Sequence, residues 1–217
     1  MIKRKHLVIL IHGFCRDQSD MYFLRDNLNE IGYYTITVNL PTFFSSFEVC
    51  TGKFTKFFNE LHHKLEDFEQ VHFVAHSMGG LILRSFLAEN KVRNIGRCVL
   101  IATPNGGTKL ADILYKHFKP IVKLFKPLEI LRTNGIQINS ALNCPRPDIG
   151  VIAGNNNNLM LGRLFLSSDS DGRVEVESTK LENMRDFIVI DFGHEDIHHQ
   201  LETVRLVDDF LQTGSFT

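Results

Sequence analysis

The 217-residue sequence lacks several patterns that mark particular classes of protein. Its four cysteines include no C-x-x-C pair, so metal and redox motifs of that kind are not indicated. The formal net charge is only −1, which gives no sign of a nucleic-acid partner. No apolar run in the sequence is nearly as long as the stretch of about 18 residues that a helix needs to span a membrane. The short apolar run at residues 7–11 is not followed by an A-x-A cleavage site, so we expect a cytoplasmic protein.

Short apolar runs alternate with helical patterns along the chain. The run at 7–11 is rich in β-branched residues, as is typical of a strand buried on both faces of a parallel sheet. Further strands are predicted at 33–40, 71–76, 97–102, 150–153 and 187–191, and helices at 20–31, 52–66, 77–90 and 196–211. This order predicts an α/β fold with a mostly parallel, doubly wound sheet and helices on both faces. No repeat or linker divides the chain, so we expect one domain over 1–217.

Residues 104–147 interrupt this alternation. Apolar side chains recur there at helical spacing, namely Leu110, Leu114, Ile121 and Phe125, with lysines around them and a kink expected at Pro120. Such a stripe either packs on the core of its own domain, as amphipathic helices usually do, or covers an active site and contacts an acyl chain or a membrane surface. A single segment can both pack on the core of its domain and cover the active site. We expect 104–147 to be a short helical cap insertion.

Residues 71–80, V-H-F-V-A-H-S-M-G-G, have the pattern of a nucleophile elbow centred on Ser77. A serine at such a strand-to-helix turn is exposed, with the first amides of the helix beneath it. The positions two before and two after the serine must be small, and Ala75 and Gly79 satisfy this requirement. A strand, a turn and an ordinary serine N-cap would give the same letters. A catalytic Ser77 therefore requires partners elsewhere in the chain.

A serine nucleophile needs a base, an orienting carboxylate and donors for the oxyanion. In one arrangement that recurs among serine hydrolases, the serine comes first along the chain, the acid second and the histidine last. Asp169 and Asp171 both qualify as the acid by position, and we favour Asp171 because Asp171-Gly172 makes the tighter turn. We expect three later acids to lie at the solvated surface, namely Glu175, Glu177 and Glu182. His194, which follows Gly193 at a predicted strand end, is the expected base.

The other histidines near these motifs have simpler expected places. His198 and His199 fall inside the predicted final helix, where we expect an exposed face. His76 adjoins the nucleophile but is expected to point away from it, and His12 is expected to order the loop that follows the first strand.

The loop after the first strand and the elbow supply the expected oxyanion donors. These donors are the backbone N–H groups of Phe14 and Met78, and Gly13 allows the loop to come close to the serine.

The segment H-E-D-I-H at 194–198 also matches the H-E-x-x-H pattern of zinc metalloproteases. That chemistry requires both histidines on one helical face and an open position on the metal. Gly193 places His194 at the start of the predicted helix, not inside it. We therefore expect no metal and no organic cofactor.

With these motifs the chain resembles the lipase and esterase branch of the α/β-hydrolase superfamily. The resemblance runs from L-V-I-L-I-H-G-F through V-A-H-S-M-G-G and I-A-T-P-N-G-G-T-K-L-A-D to S-D-G-R-V and G-H-E-D-I-H-H. It is strongest to small bacterial lipase-like hydrolases and more distant to triacylglycerol lipases and GPI-inositol deacylase-like proteins. It implies that Ser77 is the nucleophile, Asp171 the acid, His194 the base and Phe14 the source of an oxyanion amide. Ala75 departs from the usual glycine. Substrate preference is left open by four polar residues after His194, namely Glu195, Asp196, His198 and His199.

The expected function is cleavage of carboxylic esters, from small-molecule or lipid substrates, through an acyl-enzyme on Ser77. Transient contact of 104–147 with a membrane or micelle is part of this expectation. Thioester hydrolysis and acyl transfer remain open, since the same acyl-enzyme serves all three reactions. A non-catalytic binding protein of this fold is a further alternative from a different class.

Overall fold

The computed structural model describes residues 5–118, 122, 125–135, 147–157, 164–166 and 169–217. Pro120 and Ile121 of the predicted cap lie outside the described residues, as does Asn158, the last residue of a polar turn that the sequence predicts at 155–158.

Within these ranges, six parallel strands form one sheet, which confirms the predicted fold class. Their spatial order is β2-β1-β3-β4-β5-β6. The strands are β1 (His6–Ile11), β2 (Tyr34–Val38), β3 (Gln70–His76), β4 (Ile95–Ile101), β5 (Ile149–Gly154) and β6 (Asp186–Ile190). Because all strands run the same way, the loops after them meet at one edge of the sheet.

Helices cover both faces of this sheet. They are α1 (Tyr22–Ile31), α2 (Phe47–Leu65), α3 (Met78–Glu89), α4 (Lys109–His117), α5 (Val176–Thr179) and α6 (Leu201–Thr213). Short 3-10 turns lie at Gln18–Met21, Lys126–Glu129 and Ile197–His199. None of the helices in the described ranges has the length and apolar character needed to cross a membrane.

The two faces of β1 belong to two separate core layers. Leu7, Ile9 and Ile11 pack with α2 and α3, where the rings of Phe54 and Phe86 meet edge to face with centroids 4.9 Å apart. The intervening residues of β1, Val8 and Leu10, pack instead with α1 and α6. Both layers exclude water, which explains why this strand is a continuous apolar run and does not alternate with polar residues.

Two helix boundaries differ from the sequence prediction. Helix α2 begins at Phe47 and not at residue 52, because the hydroxyl of Ser46 accepts from the Val49 amide and caps an earlier first turn. The predicted final helix from 196 to 211 is interrupted. Its first residues form the 3-10 turn Ile197–His199, and Gln200 has an extended backbone before α6 begins.

Candidate active site

Ser77 lies at the junction between β3 and α3 in a strained backbone conformation. Its φ of 53° and ψ of −127° lie in a region that non-glycine residues rarely occupy. The Ser77 amide donates to the carbonyl of Ile101 on the neighbouring strand, which holds the turn against β4. Backbone strain of this kind is characteristic of a serine presented at a sharp strand-to-helix turn.

Gly79 permits the close packing that this turn requires. A Cβ atom at position 79 would lie 2.6 Å from the carbonyl oxygens of both Ile11 and His12. The first turn of α3 therefore rests directly on the carboxyl end of β1. Ala75, the departure from the usual glycine two residues before the serine, is fully buried and pairs with Ile11 in the sheet.

The structure brings Ser77, His194 and Asp171 together in one hydrogen-bonded chain. His194 Nε2 lies 3.0 Å from Ser77 Oγ, and His194 Nδ1 lies 2.7 Å from Asp171 Oδ2. A carboxylate oxygen only accepts, so Nδ1 carries the proton and Nε2 presents its lone pair to the Ser77 hydroxyl. All three residues are buried, with 7% or less of their surface exposed. This arrangement is suited to removing a proton from the serine.

Asp171 is held in place through both of its carboxylate oxygens. While Oδ2 faces His194, Oδ1 accepts hydrogen bonds from the amides of Arg173 and Val174, at 2.9 and 2.8 Å. The carbonyl of Asp171 in turn accepts from the His194 amide at 2.9 Å. Asp169, the other candidate acid, is exposed, and its carbonyl accepts from the Val176 amide. The local turn thus directs Asp171, and not Asp169, towards the histidine.

Of the three glutamates expected at the surface, one is placed differently. Glu177 and Glu182 are exposed. Glu175 is buried, and its Oε1 lies 3.1 Å from Nζ of Lys109 at the start of α4. The prediction for Glu175 was wrong because the packing of α4 against this loop covers the side chain and supplies a cation.

The loop after β1 lies against Ser77. A Cβ atom at Gly13 would be 3.0 Å from Ser77 Cβ, so only glycine allows this approach without displacement. His12 orders the loop through both of its ring nitrogens. Its Nε2 accepts a hydrogen bond from the Leu40 amide at 3.0 Å, so the ring proton lies on Nδ1, which donates to the Gly13 carbonyl, also at 3.0 Å. Burial lowers the pKa of His12, which keeps this ring neutral. Phe14 follows at the end of the loop and lines the adjoining cavity.

A largely apolar cavity of about 430 Å³ opens beside Ser77 and His194. Its apolar wall includes Leu110, Ala111, Leu114, Leu128 and Leu131, which all come from the segment predicted as a cap. Phe125 adjoins the wall: its ring packs against Phe14 and stacks on the exposed Phe44, with centroids 6.1 and 5.6 Å apart. The described part of 104–135 thus covers one side of the site.

Three charged residues at the cavity were not singled out as a group by the sequence. Glu195 receives hydrogen bonds from both Arg16, at 2.8 Å, and Arg173. All three line the cavity. The acidic group next to His194 is therefore neutralised by two guanidinium groups, which come from the loops after β1 and β5. These arginines have no recognisable motif in the sequence.

His198 and His76 are placed differently from the prediction, whereas His199 is exposed as expected. His198 is 1% exposed and does not lie on an open helical face, because the 3-10 turn directs it inwards. His76 Nε2 lies 3.1 Å from the carbonyl oxygen of His194, and the two rings have centroids 5.0 Å apart, so it does not point away from the site. His194 already uses both ring nitrogens, which leaves it no free nitrogen for a shared H-E-x-x-H metal site with His198.

The sequence and fold were compared with known proteins. A family model described as alpha/beta hydrolase fold matches residues 6–120. The mature lipase BlEst2 from Bacillus licheniformis is 17% identical, with a TM-score of 0.81 over 97% of this chain and 92% of that one. The esterase EaEST from Exiguobacterium antarcticum is 14% identical, with a TM-score of 0.61 over 98% and 94%.

A phospholipase, PlaB from Legionella pneumophila, is 18% identical, with a TM-score of 0.64 over 88% of this chain and 53% of that one. At these identities the structural neighbours share the fold. No match was found among curated proteins.

Proposed function

The chain belongs to the alpha/beta hydrolase fold family, and from that premise we propose that it hydrolyses carboxylic esters with Ser77 as the nucleophile. The observation that carries this proposal is the chain of contacts from Ser77 Oγ through His194 to Asp171, at 3.0 and 2.7 Å. In this proposal Ser77 is the nucleophile and His194 is the base, whose unprotonated Nε2 faces the serine. Asp171 is the acid that fixes the tautomer of His194.

In the proposed reaction, Ser77 Oγ attacks the ester carbonyl while His194 Nε2 takes the hydroxyl proton. The tetrahedral oxyanion accepts hydrogen bonds from the backbone N–H groups of Phe14 and Met78. The first lies in the loop packed against Ser77, and the second is the first amide of α3, which has no partner within its own helix. Collapse of the intermediate expels the alcohol, which receives the proton from His194 and leaves an acyl-enzyme.

Deacylation repeats these steps with water. His194 removes a proton from the water molecule, the hydroxide attacks the acyl carbon, and Ser77 leaves with the proton returned by His194. Asp171 stabilises the imidazolium form of His194 in both halves of the reaction. Every step uses a protein group or water, so the proposed mechanism requires no cofactor.

The cavity favours an ester with an apolar acyl group. Its wall beside Ser77 is mainly leucine, and a hydrocarbon chain gains roughly 0.8 kcal/mol for each methylene group that it buries. We propose that residues 104–147 serve as the cap of a single domain and supply this wall. The exposed rings of Phe43 and Phe44 pack against each other, and Phe44 stacks on Phe125 beside this wall, which supports contact with a lipid substrate at a membrane or micelle.

Hydrolysis of p-nitrophenyl esters of increasing acyl length tests the proposal. We expect the wild type to turn over these esters and Ser77→Ala to lose at least about 10⁴-fold in kcat without unfolding. Ser85→Ala, a change of the same size on the same helix, is the matched control and should retain activity. Equal activity of wild type and Ser77→Ala would contradict the proposal. Absence of ester turnover by the wild type, together with turnover of thioesters or transfer to an alcohol, would redirect it to those reactions.

Repeating the series with and without micelles tests the cap. A rate that increases at the micelle threshold supports interfacial contact through 104–147. A preference for short soluble esters with no such increase indicates an esterase whose cap makes no lipid contact.

A further inference from the structure

Three ligand-type side chains that the proposed mechanism does not use lie together next to His194. Asp20 comes from the 3-10 turn after β1, His76 from the end of β3 and His198 from the 3-10 turn after β6. Each contributes one potential metal-ligating atom, and these atoms all lie within 4.8 Å of one another. The side chains of His76 and His198 are 4% and 1% exposed, and that of Asp20 is 10% exposed.

The hydrogen bond of His76 fixes which of its nitrogens is free. His76 Nε2 faces the carbonyl oxygen of His194 at 3.1 Å, and because a carbonyl only accepts, Nε2 must carry the proton. Neutral His76 then presents an unprotonated Nδ1 to Asp20 Oδ2, 3.7 Å away. Two acceptors that face each other in a buried site repel unless a positive group lies between them.

His198 faces the same carboxylate oxygen. Its Nε2 lies within ion-pairing distance of Asp20 Oδ2, at 3.1 Å, but neither ring nitrogen of His198 makes a hydrogen bond of good geometry within the described residues. The same holds there for His76 Nδ1 and for Asp20 Oδ2. Buried polar atoms without a partner are uncommon in folded proteins. Here each of three adjacent side chains carries at least one such atom, and one ligand-type atom from each lies within 4.8 Å of the other two, so the three residues together offer a site for a bound group.

The protonation states of these residues suit a cation. Burial lowers the pKa of both His76 and His198, which favours neutral imidazoles near pH 7. Neutral imidazole and ionised carboxylate are the forms that coordinate metal ions. The other oxygen, Oδ1, faces Arg16 Nε at 3.5 Å and His199 Nε2 at 4.0 Å, so Oδ2 remains for a ligand.

We propose that Asp20, His76 and His198 bind a divalent transition-metal ion, with Zn²⁺ as the ion that this donor set fits best. Two imidazole nitrogens and one carboxylate oxygen are typical zinc ligands, and water completes a tetrahedral site. Tetrahedral bonds of about 2.0–2.1 Å place neighbouring ligand atoms about 3.3 Å apart. The observed 3.1 and 3.7 Å separations from Asp20 Oδ2 bracket that value.

The second nitrogen of His76 connects this site to the proposed triad. Histidine ligands usually donate their other N–H to a carbonyl or carboxylate, and His76 donates to the His194 carbonyl. The ion would join three segments of the chain and stabilise the loop that carries His194. It takes no part in bond cleavage in the proposed mechanism, since both nitrogens of the His194 ring are already engaged by Ser77 and Asp171. The site is thus distinct from an H-E-x-x-H centre, which would require His194 itself.

Metal titration of the full chain tests this proposal independently of ester hydrolysis. Protein freed of metal by chelator dialysis is titrated with Zn²⁺, and with Co²⁺ for its visible spectrum. We expect one ion per chain and a tetrahedral cobalt spectrum. We also expect the Tm to rise by about 5 °C at a free zinc concentration 100-fold above Kd.

Variants locate the bound ion. His198→Gln and Asp20→Asn should each weaken zinc binding by at least about tenfold, since each removes a ligand. His117→Gln, which removes an exposed histidine from α4, is the matched control and should bind zinc like the wild type. Ser77→Ala should also bind normally, so loss of esterase activity does not affect this result. No zinc binding by the wild type, or equal weakening by His117→Gln and His198→Gln, would overturn the proposal.

A second measurement does not depend on the folding of any variant. Wild-type crystals grown with zinc can be measured on both sides of the zinc absorption edge. An anomalous peak between Asp20, His76 and His198 supports the proposal. A peak only at other residues, or no peak, overturns it.

Discussion

Buried His194 lies beside a pair of buried histidines, His76 and His198, at the carboxyl edge of the sheet. His194 and this pair differ in the hydrogen bonds that their ring nitrogens make. Both ring nitrogens of His194 have partners, Asp171 at Nδ1 and Ser77 at Nε2. The rings of His76 and His198 stack on each other with centroids 3.8 Å apart. Three of their four nitrogens make no hydrogen bond within the part of the chain that the structure describes.

We propose that this difference separates two chemical roles for one residue type at similar burial. A histidine held between an acid and a hydroxyl is arranged to move a proton. Histidines whose free nitrogens converge on a carboxylate are arranged to hold a cation. Sequence spacing does not distinguish the two roles, because His194 and His198 occur in one H-E-x-x-H match yet belong to different groups.

The largest expected effect comes from removing His194, the proposed general base. His194→Ala should lower kcat for an activated ester by about 10⁶-fold, since Ser77 then has no base. His198→Gln should change kcat by no more than about tenfold, because the His198 ring makes no contact with Ser77 and acts only through the loop. Steady-state kinetics on both variants measures this difference. Equal losses would mean that the two groups form one catalytic unit.

Changing the acid should have the next largest effect. Asp171→Asn should lower kcat by about 10⁴-fold, because an amide does not stabilise the tautomer and imidazolium form that His194 requires. Asp169→Asn is the matched control, two residues away and exposed. It should retain nearly full activity when kcat is measured in parallel. A larger loss from Asp169→Asn would instead assign the orienting role to that residue.

The smallest effect concerns a histidine at the opposite end of β3. His72 accepts the Arg97 amide at Nδ1 over 2.9 Å, and burial, with the nearby charges of His6 and Arg97, lowers its pKa to about 4. The unfolded chain takes up a proton at His72 below about pH 6.5, whereas the folded chain does so only below about pH 4. The free energy of unfolding should therefore decrease by roughly 3 kcal/mol between pH 6.5 and 4 on account of this residue.

Urea unfolding over that pH range measures the contribution of His72. We expect His72→Gln to reduce the pH dependence of stability while ester turnover at pH 7 persists. The same pH dependence in wild type and variant would show that His72 does not contribute to it.

Much of the fold was predictable because each strand corresponds to a short apolar run in the sequence, between segments with helical spacing. The elbow at Ser77 was also visible in the sequence, since close packing requires small residues such as Gly79 at fixed spacing. The order of the acid and the histidine after the serine then drew attention to Asp171 and His194. The structure places these three residues in contact, and their catalytic roles remain predictions.

The second histidine group was not predictable from these local signals. Asp20 lies far in sequence from both of its partners, and its segment carries only the pattern of a helix start. His198 was assigned to an exposed helical face because apolar spacing continues across Gln200, where the backbone is in fact extended. Glu175 was assigned to the surface because its cover, α4, comes from a distant part of the chain. Each error concerns a contact that only tertiary packing creates.

The most direct test of the central claim is the reaction of the protein with a fluorophosphonate, followed by peptide mapping. This probe forms a covalent bond with a serine that is activated by a neighbouring base. We expect one label per chain on the peptide that contains Ser77, retained in Ser85→Ala and absent from Ser77→Ala. Labelling of another residue, or equal labelling of wild type and Ser77→Ala, would contradict the account.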